Sequence, residues 1–244
     1  MELQESKNII TDAKNIYLIP SLGPEAIAST MTLFYTLKEL GKNVNLIIES
    51  LPENLKFLTP SANFISYPKN FVISIPNKQA QVSQVFYEKT EDNLKIHLTI
   101  ENGIIKKDDM SFYFSDAKPD LIITLGIKDY QEQLKNKLDS FGFLLDSPIL
   151  NIDTLINPVQ ENKKFGKINL LGDFSLTETV LNLVKEAGVN PMKKEVANCL
   201  LSGIMLFTEN FKKNLTAEIF ETAGYLMKQG ADLKQITNSI YKTT

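Results

Sequence analysis

Few side chains in this 244-residue sequence can do chemistry at neutral pH. The sequence contains one histidine, His97, one cysteine, Cys199, and no arginine among its 26 basic residues. Histidine is the usual proton shuttle and transition-metal ligand near pH 7, and arginine is the side chain that binds phosphate through two parallel hydrogen bonds. An enzymatic mechanism would therefore have to work without arginine and almost without histidine.

The histidine and the cysteine are both predicted to be structural. His97 lies in the alternating segment 94–100, whose apolar residues share one face while His97 is on the other, so we predict a half-buried strand with His97 at the surface. Cys199 lies in the apolar run 197–201, which favours a buried free thiol. The sequence therefore offers no serine- or cysteine-based triad, and it contains no Walker or Gly-x-Gly-x-x-Gly loop.

Composition and charge argue against several classes of partner. The formal net charge is -3, so no global positive field draws the protein to nucleic acid or to an anionic membrane. A single cysteine forms no internal disulfide, which suits a reducing compartment. No stretch reaches the ~18 apolar residues that cross a bilayer. We expect a cytoplasmic protein without a processed leader.

The first fifty residues predict a strand, a helix and a second strand. Residues 15–19 form a short apolar run, and Pro24 is well placed at the first position of a helix. The helix carries one apolar stripe at three- and four-residue spacing: Ile27, Met31, Phe34, Leu37 and Leu40. Gly41 can end this helix, and 44–48 is typical of a strand. This order favours a Rossmann-like α/β fold, a doubly wound and mostly parallel sheet with helices on both faces.

Residues 64–116 are predicted to form an antiparallel β-meander, inserted into a single domain that spans residues 1–244. Strands are expected at 71–75, 82–88 and 94–100. Thr90–Asn93 and Asn102-Gly103 are the predicted hairpin turns.

From residue 121 onward the sequence returns to buried strands and helices. Apolar runs at 121–125 and 149–152 continue the parallel sheet, with a helix near 128–140 between them. Local signals mark the starts of four further helices: Ser175 with Glu178, Asn190 with Pro191, Thr216, and Asp232 with Gln235. The carboxy-terminal region is therefore predicted to be helical.

A set of short segments on both sides of the predicted meander carries a family resemblance. The segments are 15–19, 25–29, 52–58, 120–126, 151–153, 165–170, 202–204 and 230–232. In this order they resemble the amino-terminal domain of the DHH phosphoesterase superfamily, especially its oligoribonuclease and nucleotide-phosphatase branch. The resemblance implies that active members of the family bind two divalent ions, usually manganese. A hydroxide that bridges the two ions attacks the phosphorus atom of the substrate.

Most of the metal ligands that the resemblance implies are replaced in this sequence. The residues at those positions are Ile19, Gly23, Glu25, Gly126, Asp153, Thr154, Leu155 and Phe207. The first three belong to the first motif, Gly126 to the second, the next three to the third, and Phe207 to the fourth. A dication among Ile19, Leu155 and Phe207 would lose its hydration without receiving donors. The family's carboxy-terminal substrate domain also has no counterpart before Thr244.

The sequence thus predicts a cleft without catalytic residues, a metal site or a cofactor. The residual cleft candidates are Ser21, Gly23, Glu25, Ser29, Gly126, Asp129, Asp153, Thr154 and Phe207. Glu25 and Asp153 are expected to have structural roles, at a helix dipole and at backbone amides. Phe207 is expected to fill the former metal cavity as a core residue. The helix start at 21–24 is a weak phosphate site, because Pro24 lacks a donor.

The leading functional hypothesis is a catalytically inactive DHH-like domain that acts as a structural or regulatory interaction subunit. Its partner would be a protein or a second copy of the chain, bound through 64–116, because inserted strands expose an edge unless something covers it. Packing of that segment on its own domain is the plain alternative. Two other functions stay open: a divergent phosphoesterase that uses Glu25, Asp153 and Asp129 with manganese or magnesium, and a nucleotide sensor without hydrolysis.

Overall fold

The chain consists of two compact units. The computed structural model describes residues 2–48, 51–59, 69–116, 118–127, 147–155, 164–189 and 192–241. One unit, called here the α/β unit, comprises residues 1–67 and 118–244, and the other, called here the inserted unit, comprises residues 68–117.

The α/β unit is built on a five-stranded parallel sheet. Across the sheet the strands are β2 (Asn43–Leu46), β1 (Asn15–Pro20), β7 (Leu121–Leu125), β8 (Ile149–Thr154) and β9 (Ile168–Gly172). Each neighbouring pair is parallel. With the inserted strands left out, this is the 2-1-3-4-5 order of a doubly wound sheet, so the predicted α/β fold is confirmed. The order reverses between β1 and β7, and in such sheets the crevice for ligands opens beyond the carboxyl ends of those strands.

Helices flank the sheet and fill the carboxy-terminal region. They are α1 (Glu2–Asp12), α2 (Pro24–Glu39), α3 (Leu176–Glu186), α4 (Lys194–Phe207), α5 (Ala217–Lys228) and α6 (Leu233–Ile240), with a 3₁₀ helix at Glu53–Leu58. The hydroxyl of Ser175 caps α3, the hydroxyl of Thr216 caps α5, and the carboxylate of Asp232 caps α6, as predicted. The helix expected near 128–140 and the start at Asn190-Pro191 lie outside the described residues.

The apolar side of the sheet that faces α2 and α3 forms the main core. Leu18, Ile123 and Ile152 from three neighbouring strands are fully buried there. The opposite side of the sheet carries a smaller cluster of Tyr17, Ile19, Ile122 and Ile127. Residues alternate between the two sides along each strand, so both sides of β1 and β7 are buried, as in other parallel sheets. No helix among the described residues is both long and apolar enough to span a bilayer.

The inserted unit contains antiparallel strands whose pairing is nested. Its strands are β3 (Lys69–Ser74), β4 (Ala80–Lys89), β5 (Leu94–Gly103) and β6 (Ser111–Asp116). β4 pairs with β5 in one two-stranded sheet, and β3 pairs with β6 in another. The antiparallel character is confirmed. The nested pairing differs from a meander, in which each strand would pair with the next one along the chain.

One predicted turn is present in the inserted unit and one is absent. The amide of Thr90 donates to the carbonyl of Asn93 across a tight connection between β4 and β5, as expected. The predicted turn at Asn102-Gly103 is wrong, because both residues pair within β5 with Gln81 and Ala80. Gly103 has φ +88, and a Cβ there would meet the carbonyl oxygen of Gln79, so glycine permits this close approach.

The predicted half-burial of β5 is also wrong. Its apolar face is open, with exposed fractions of 63% at Leu94 and 48% at Ile96. On the other face the ring of His97 stacks on Phe86 with centroids 4.7 Å apart, and its Nε2 lies 3.7 Å from the Glu88 carboxylate. His97 is therefore a partly exposed strand residue that contacts side chains of its own two-stranded sheet.

Candidate functional site

The candidate site lies at the carboxyl ends of β1 and β7, where the strand order reverses. The amide of Ser21 donates to the carbonyl of Leu125, and the amide of Gly126 donates to the carbonyl of Ile152, so three strand ends are tied together. Gly23 is the N-cap residue of α2 in an extended conformation, with Pro24 directly after it. The fold thus brings Ser21, Gly23 and Gly126 to one edge of the sheet.

The space beside Gly126 is filled by neighbouring side chains. Gly126 has φ +64, which an L side chain rarely adopts. A Cβ there would lie 3.1 Å from Ser21 Oγ, 3.3 Å from the Cβ of Ala26 and 3.3 Å from the Cδ2 of Leu176. Leu176 is 5% exposed and belongs to the main core. At the position that the resemblance gives to a metal-binding aspartate, a side chain would therefore be crowded by Ser21, Ala26 and Leu176.

The carboxylate of Glu25 is held by the start of α3. Its Oε1 accepts from the backbone amide of Thr177 at 3.0 Å and from the hydroxyl of Thr177 at 3.1 Å, and the amide of Leu176 also bonds the carboxylate. The first amides of a helix have no partner within the helix, and their dipoles favour an anion. Glu25 therefore occupies the anion position at the start of α3, where a bound phosphate would otherwise be favoured.

Ser29 extends this contact into the core. It lies one helical turn after Glu25 on α2, is fully buried, and its Oγ is 3.3 Å from Thr177 Oγ1. Because the Thr177 hydroxyl donates to Glu25, the Ser29 hydroxyl is the donor in the second contact. The three side chains form one hydrogen-bonded chain that joins α2 to α3.

The ionised form of Glu25 is disfavoured at this buried position. Burial raises the pKa of Glu25, and the negative charge of Asp153 adds to this, while the hydrogen bonds from Thr177 and Leu176 oppose it. The negative charges of Glu25 and Asp153 therefore repel each other.

We predict that Glu25→Gln does not lower the free energy of unfolding at pH 7 and slightly raises it. Glutamine keeps an oxygen that accepts from Thr177 and avoids the cost of burying a charge. A raised folded-state pKa means that stability falls as pH rises from the ordinary glutamate pKa through the folded value. The advantage of glutamine should therefore vanish below the ordinary pKa of about 4.3.

Chemical denaturation at pH 7 and at pH 3.5 measures this difference. Glu5→Gln is the matched control, because Glu5 is exposed on α1 and loses little hydration on folding. A clear loss of stability for Glu25→Gln at pH 7 would show that the ionised carboxylate is the favoured group at the start of α3.

Asp153 is buried at the carboxyl end of β8, with 6% of its surface exposed. Its Oδ1 accepts from the backbone amide of Thr154 at 2.8 Å, the role that the sequence predicted for a strand-end aspartate. Two residues earlier, Asn151 accepts from the hydroxyl of Thr124 and donates to Asn169 in the neighbouring strand. This row of polar side chains links β7, β8 and β9 and fixes the backbone that carries Asp153.

Phe207 ends α4 in a half-buried position, which differs from the expected core position. Its ring meets the edge of Phe174 with centroids 5.0 Å apart, so it packs on the loop between β9 and α3. Leu155, at another ligand position of the family, is 43% exposed. Asp129 lies outside the described residues.

These residues do not fit a pair of divalent ions. Each ion would need several converging oxygen or nitrogen donors. Within the described ranges, no group of three or more His, Cys, Asp or Glu side chains converges. Glu25 Oε1 and Asp153 Oδ1 each accept from a backbone amide, and Leu176 packs beside Gly126.

The sequence analysis did not identify Leu176 and Thr177 as residues of the site. Leu176 packs beside Gly126, and Thr177 binds the carboxylate of Glu25. Thr177 contacts Glu25 across 152 positions of the chain. The cap signal at Ser175 and Glu178 located the start of α3, and thus the place where free amides are exposed. Nothing local indicated which carboxylate those amides would bind.

Comparisons with known proteins identify the fold. No protein-family model matches the sequence, and no curated protein matches it significantly. Among solved structures, an exopolyphosphatase-related protein from Bacteroides fragilis aligns with a TM-score of 0.67 and 18% identity, over 100% of this chain and 61% of that protein. Exonuclease RecJ bound to manganese aligns with a TM-score of 0.41 and 14% identity, over 94% of this chain and 47% of that one, which is too weak to carry an argument.

The class defined by the fold and the site is therefore a doubly wound α/β protein with a closed cleft at the point where strand order reverses. In particular, the chain shares the fold of the exopolyphosphatase-related protein and spans 61% of the length of that protein.

Proposed function

We propose that this chain is a catalytically inactive relative of the DHH phosphoesterases and acts as a structural or regulatory interaction subunit. The observation that carries the proposal is the closed cleft. The carboxylate of Glu25 binds the amides at the start of α3, and Leu176 packs against Gly126. A phosphate group approaching this edge would meet a carboxylate and apolar side chains in place of cations.

The inserted unit supports the interaction half of the proposal. Among the described residues, 19 large apolar side chains are exposed, and 11 of them lie in the inserted unit: Phe71, Ile73, Val85, Phe86, Tyr87, Leu94, Ile96, Ile100, Ile104, Phe112 and Tyr113. Clustered exposed apolar surface marks sites of protein association. The proposed partner surface is therefore this unit.

A second candidate, a divergent phosphoesterase, is favoured by the retained carboxylates. The negative charge of Asp153 contributes to the raised pKa of Glu25, and a cation shared by the two carboxylates would require Glu25 to leave the amides of α3. The hydrogen bonds from Thr177 oppose that movement. We therefore rank this candidate second.

Hydrolysis assays test the proposal. Purified protein is incubated with dinucleotides, nucleoside monophosphates and inorganic polyphosphate in the presence of manganese, beside the Asp153→Asn variant and an active phosphoesterase as positive control. We expect the wild type and the variant to give the same background rate. Turnover that Asp153→Asn abolishes would contradict the proposal and support the divergent phosphoesterase.

A further inference from the structure

The sequence of β5 has a pattern of apolar and charged side chains that is complementary to a second, antiparallel copy of the same strand. Among the residues that the structure describes, β4 and β5 form a sheet of two strands with one edge of β5 unpaired, and such a ribbon is marginally stable until further strands or a packed face are added. The amide of Thr90 bonds the carbonyl of Asn93, and antiparallel bonding alternates from that pair. The backbone groups of Ile96 and Leu98 therefore point away from β4, toward the free edge.

We propose that β5 pairs antiparallel with β5 of a second copy of this chain, about a two-fold axis at Leu98. This inference rests on the proposed role of the inserted unit in interaction, and it names the partner. The two ribbons then form one four-stranded antiparallel sheet across an isologous interface.

Side-chain chemistry selects this register. With Leu98 opposite the partner's Leu98, Ile96 faces the partner's Ile100 in two apolar pairs. Lys95 faces the partner's Glu101 twice, once on each side of the axis. Cross-strand apolar and opposite-charge pairs of this kind stabilise sheets, and like charges directly opposite destabilise them.

Other registers lose these pairs. A shift of one residue places outward-facing backbone groups opposite inward-facing ones, so the hydrogen bonds fail. A shift of two residues toward the amino terminus places His97 opposite the partner's His97 and Lys95 opposite the partner's Thr99. A shift of two residues the other way places Lys95 opposite the partner's Gly103, so neither alternative keeps the Lys95–Glu101 pairs.

The surfaces involved are open in the chain. Ile96 and Ile100 are 48% and 41% exposed, and Lys95 is 56% exposed at its side chain, where it lies 3.5 Å from Glu88 of its own ribbon. The pairing of β4 with β5 is irregular on both sides of Ile100 and passes over Glu101, so Glu101 has no cross-strand partner on β4. Lys95 and Glu101 are therefore both accessible to a second copy.

Charge reversal tests the pairing in the full chain. Lys95→Glu alone and Glu101→Lys alone each place like charges opposite each other twice, so we expect the dimer dissociation constant to rise at least about tenfold. A mixture of the two variants restores opposite charges at both positions. We therefore expect the mixture to form a heterodimer, measured by sedimentation velocity and by pull-down of differently tagged copies.

Lys89→Glu is the matched control, because it makes the same charge change on β4, away from the proposed edge, and should leave the dimer unchanged. A wild type that stays monomeric at high micromolar concentration overturns the inference, and so does a dimer that neither reversal weakens. Failure of the mixture to associate overturns it as well. None of these outcomes depends on hydrolysis. The proposed dimer can therefore be disproved without disproving the proposed lack of catalytic activity, and the reverse also holds.

Discussion

Replacing Gly126 by aspartate is expected to lower the free energy of unfolding by about 3 to 5 kcal/mol and to create no manganese site. Three effects combine. The φ of +64 disfavours an L side chain, and a Cβ would be crowded by Ser21, Ala26 and Leu176. The new carboxylate would also be buried in an edge that already holds the charges of Glu25 and Asp153.

Two variants separate these effects. Gly126→Ala introduces the Cβ and the backbone strain without polar atoms. Gly126→Asn has the shape of aspartate without the charge, and asparagine tolerates the left-handed region better than most residues. We expect the Gly126→Asp variant to have a lower free energy of unfolding than the Gly126→Asn variant at pH 7, as measured by urea denaturation. The difference between the two free energies should shrink in acid. An aspartate variant that is as stable as the wild type and gains stability on addition of manganese would refute the closed cleft.

Replacing Gly203 by alanine is expected to destabilise the protein by about 1 to 3 kcal/mol, although alanine is normally the better helix former. Gly203 lies within α4, where a Cβ would clash with Thr177 Oγ1 and lie 2.9 Å from its Cγ2. Thr177 cannot rotate away without losing its bond to Glu25. The methyl group must therefore push α4 away from α3 or break the Glu25 contact.

Gly224→Ala is the matched control for this prediction. Gly224 lies within α5 and a Cβ there would have nothing within 4 Å. Alanine should stabilise that helix by about 0.5 to 1 kcal/mol, as helix propensity predicts. The two substitutions should thus have opposite signs in thermal or chemical denaturation, and Thr177→Ala should relieve part of the loss in the Gly203→Ala background. Equal stabilisation by both alanines would disprove the tight contact between α3 and α4.

The candidate site and the proposed interaction surface lie in different parts of the sequence. Glu25, Thr177 and Ser29 use their polar groups within the α/β unit. The exposed apolar side chains concentrate in the inserted unit. A protein that has exchanged catalysis for association would be expected to divide its residues in this way.

The elements of the α/β unit could be predicted from the sequence because local signals specify them. Apolar runs at 121–125 gave β7 at its observed bounds, and Pro24 and Gly41 marked the ends of the region that holds α2. The amphipathic helix α1 was not predicted, although its buried Ser6 and Ile10 are one turn apart. The polar composition of 2–12 obscured a helix whose burial depends on tertiary contacts.

The pairing in the inserted unit could not be predicted in full, because alternating strands are compatible with several partners. The tight connection 90–93 fixes β4 against β5, but β3 and β6 are separated by both of those strands. Long-range pairing depends on which edges meet in three dimensions, and the alternation of 94–100 alone does not say whether its apolar face is covered. In the structure that face is exposed.

By itself, the sequence determined the fold class, the helix caps and the residue types at the strand ends, since these depend on residue type and on spacing within one element. Only the tertiary structure decided which groups these residues contact. The contact of Glu25 with Thr177 and that of Leu176 with Gly126 join residues that are far apart in the chain. Such contacts arise when the sheet brings its strand ends together, because the carboxylate then satisfies helix amides that would otherwise be buried without a partner.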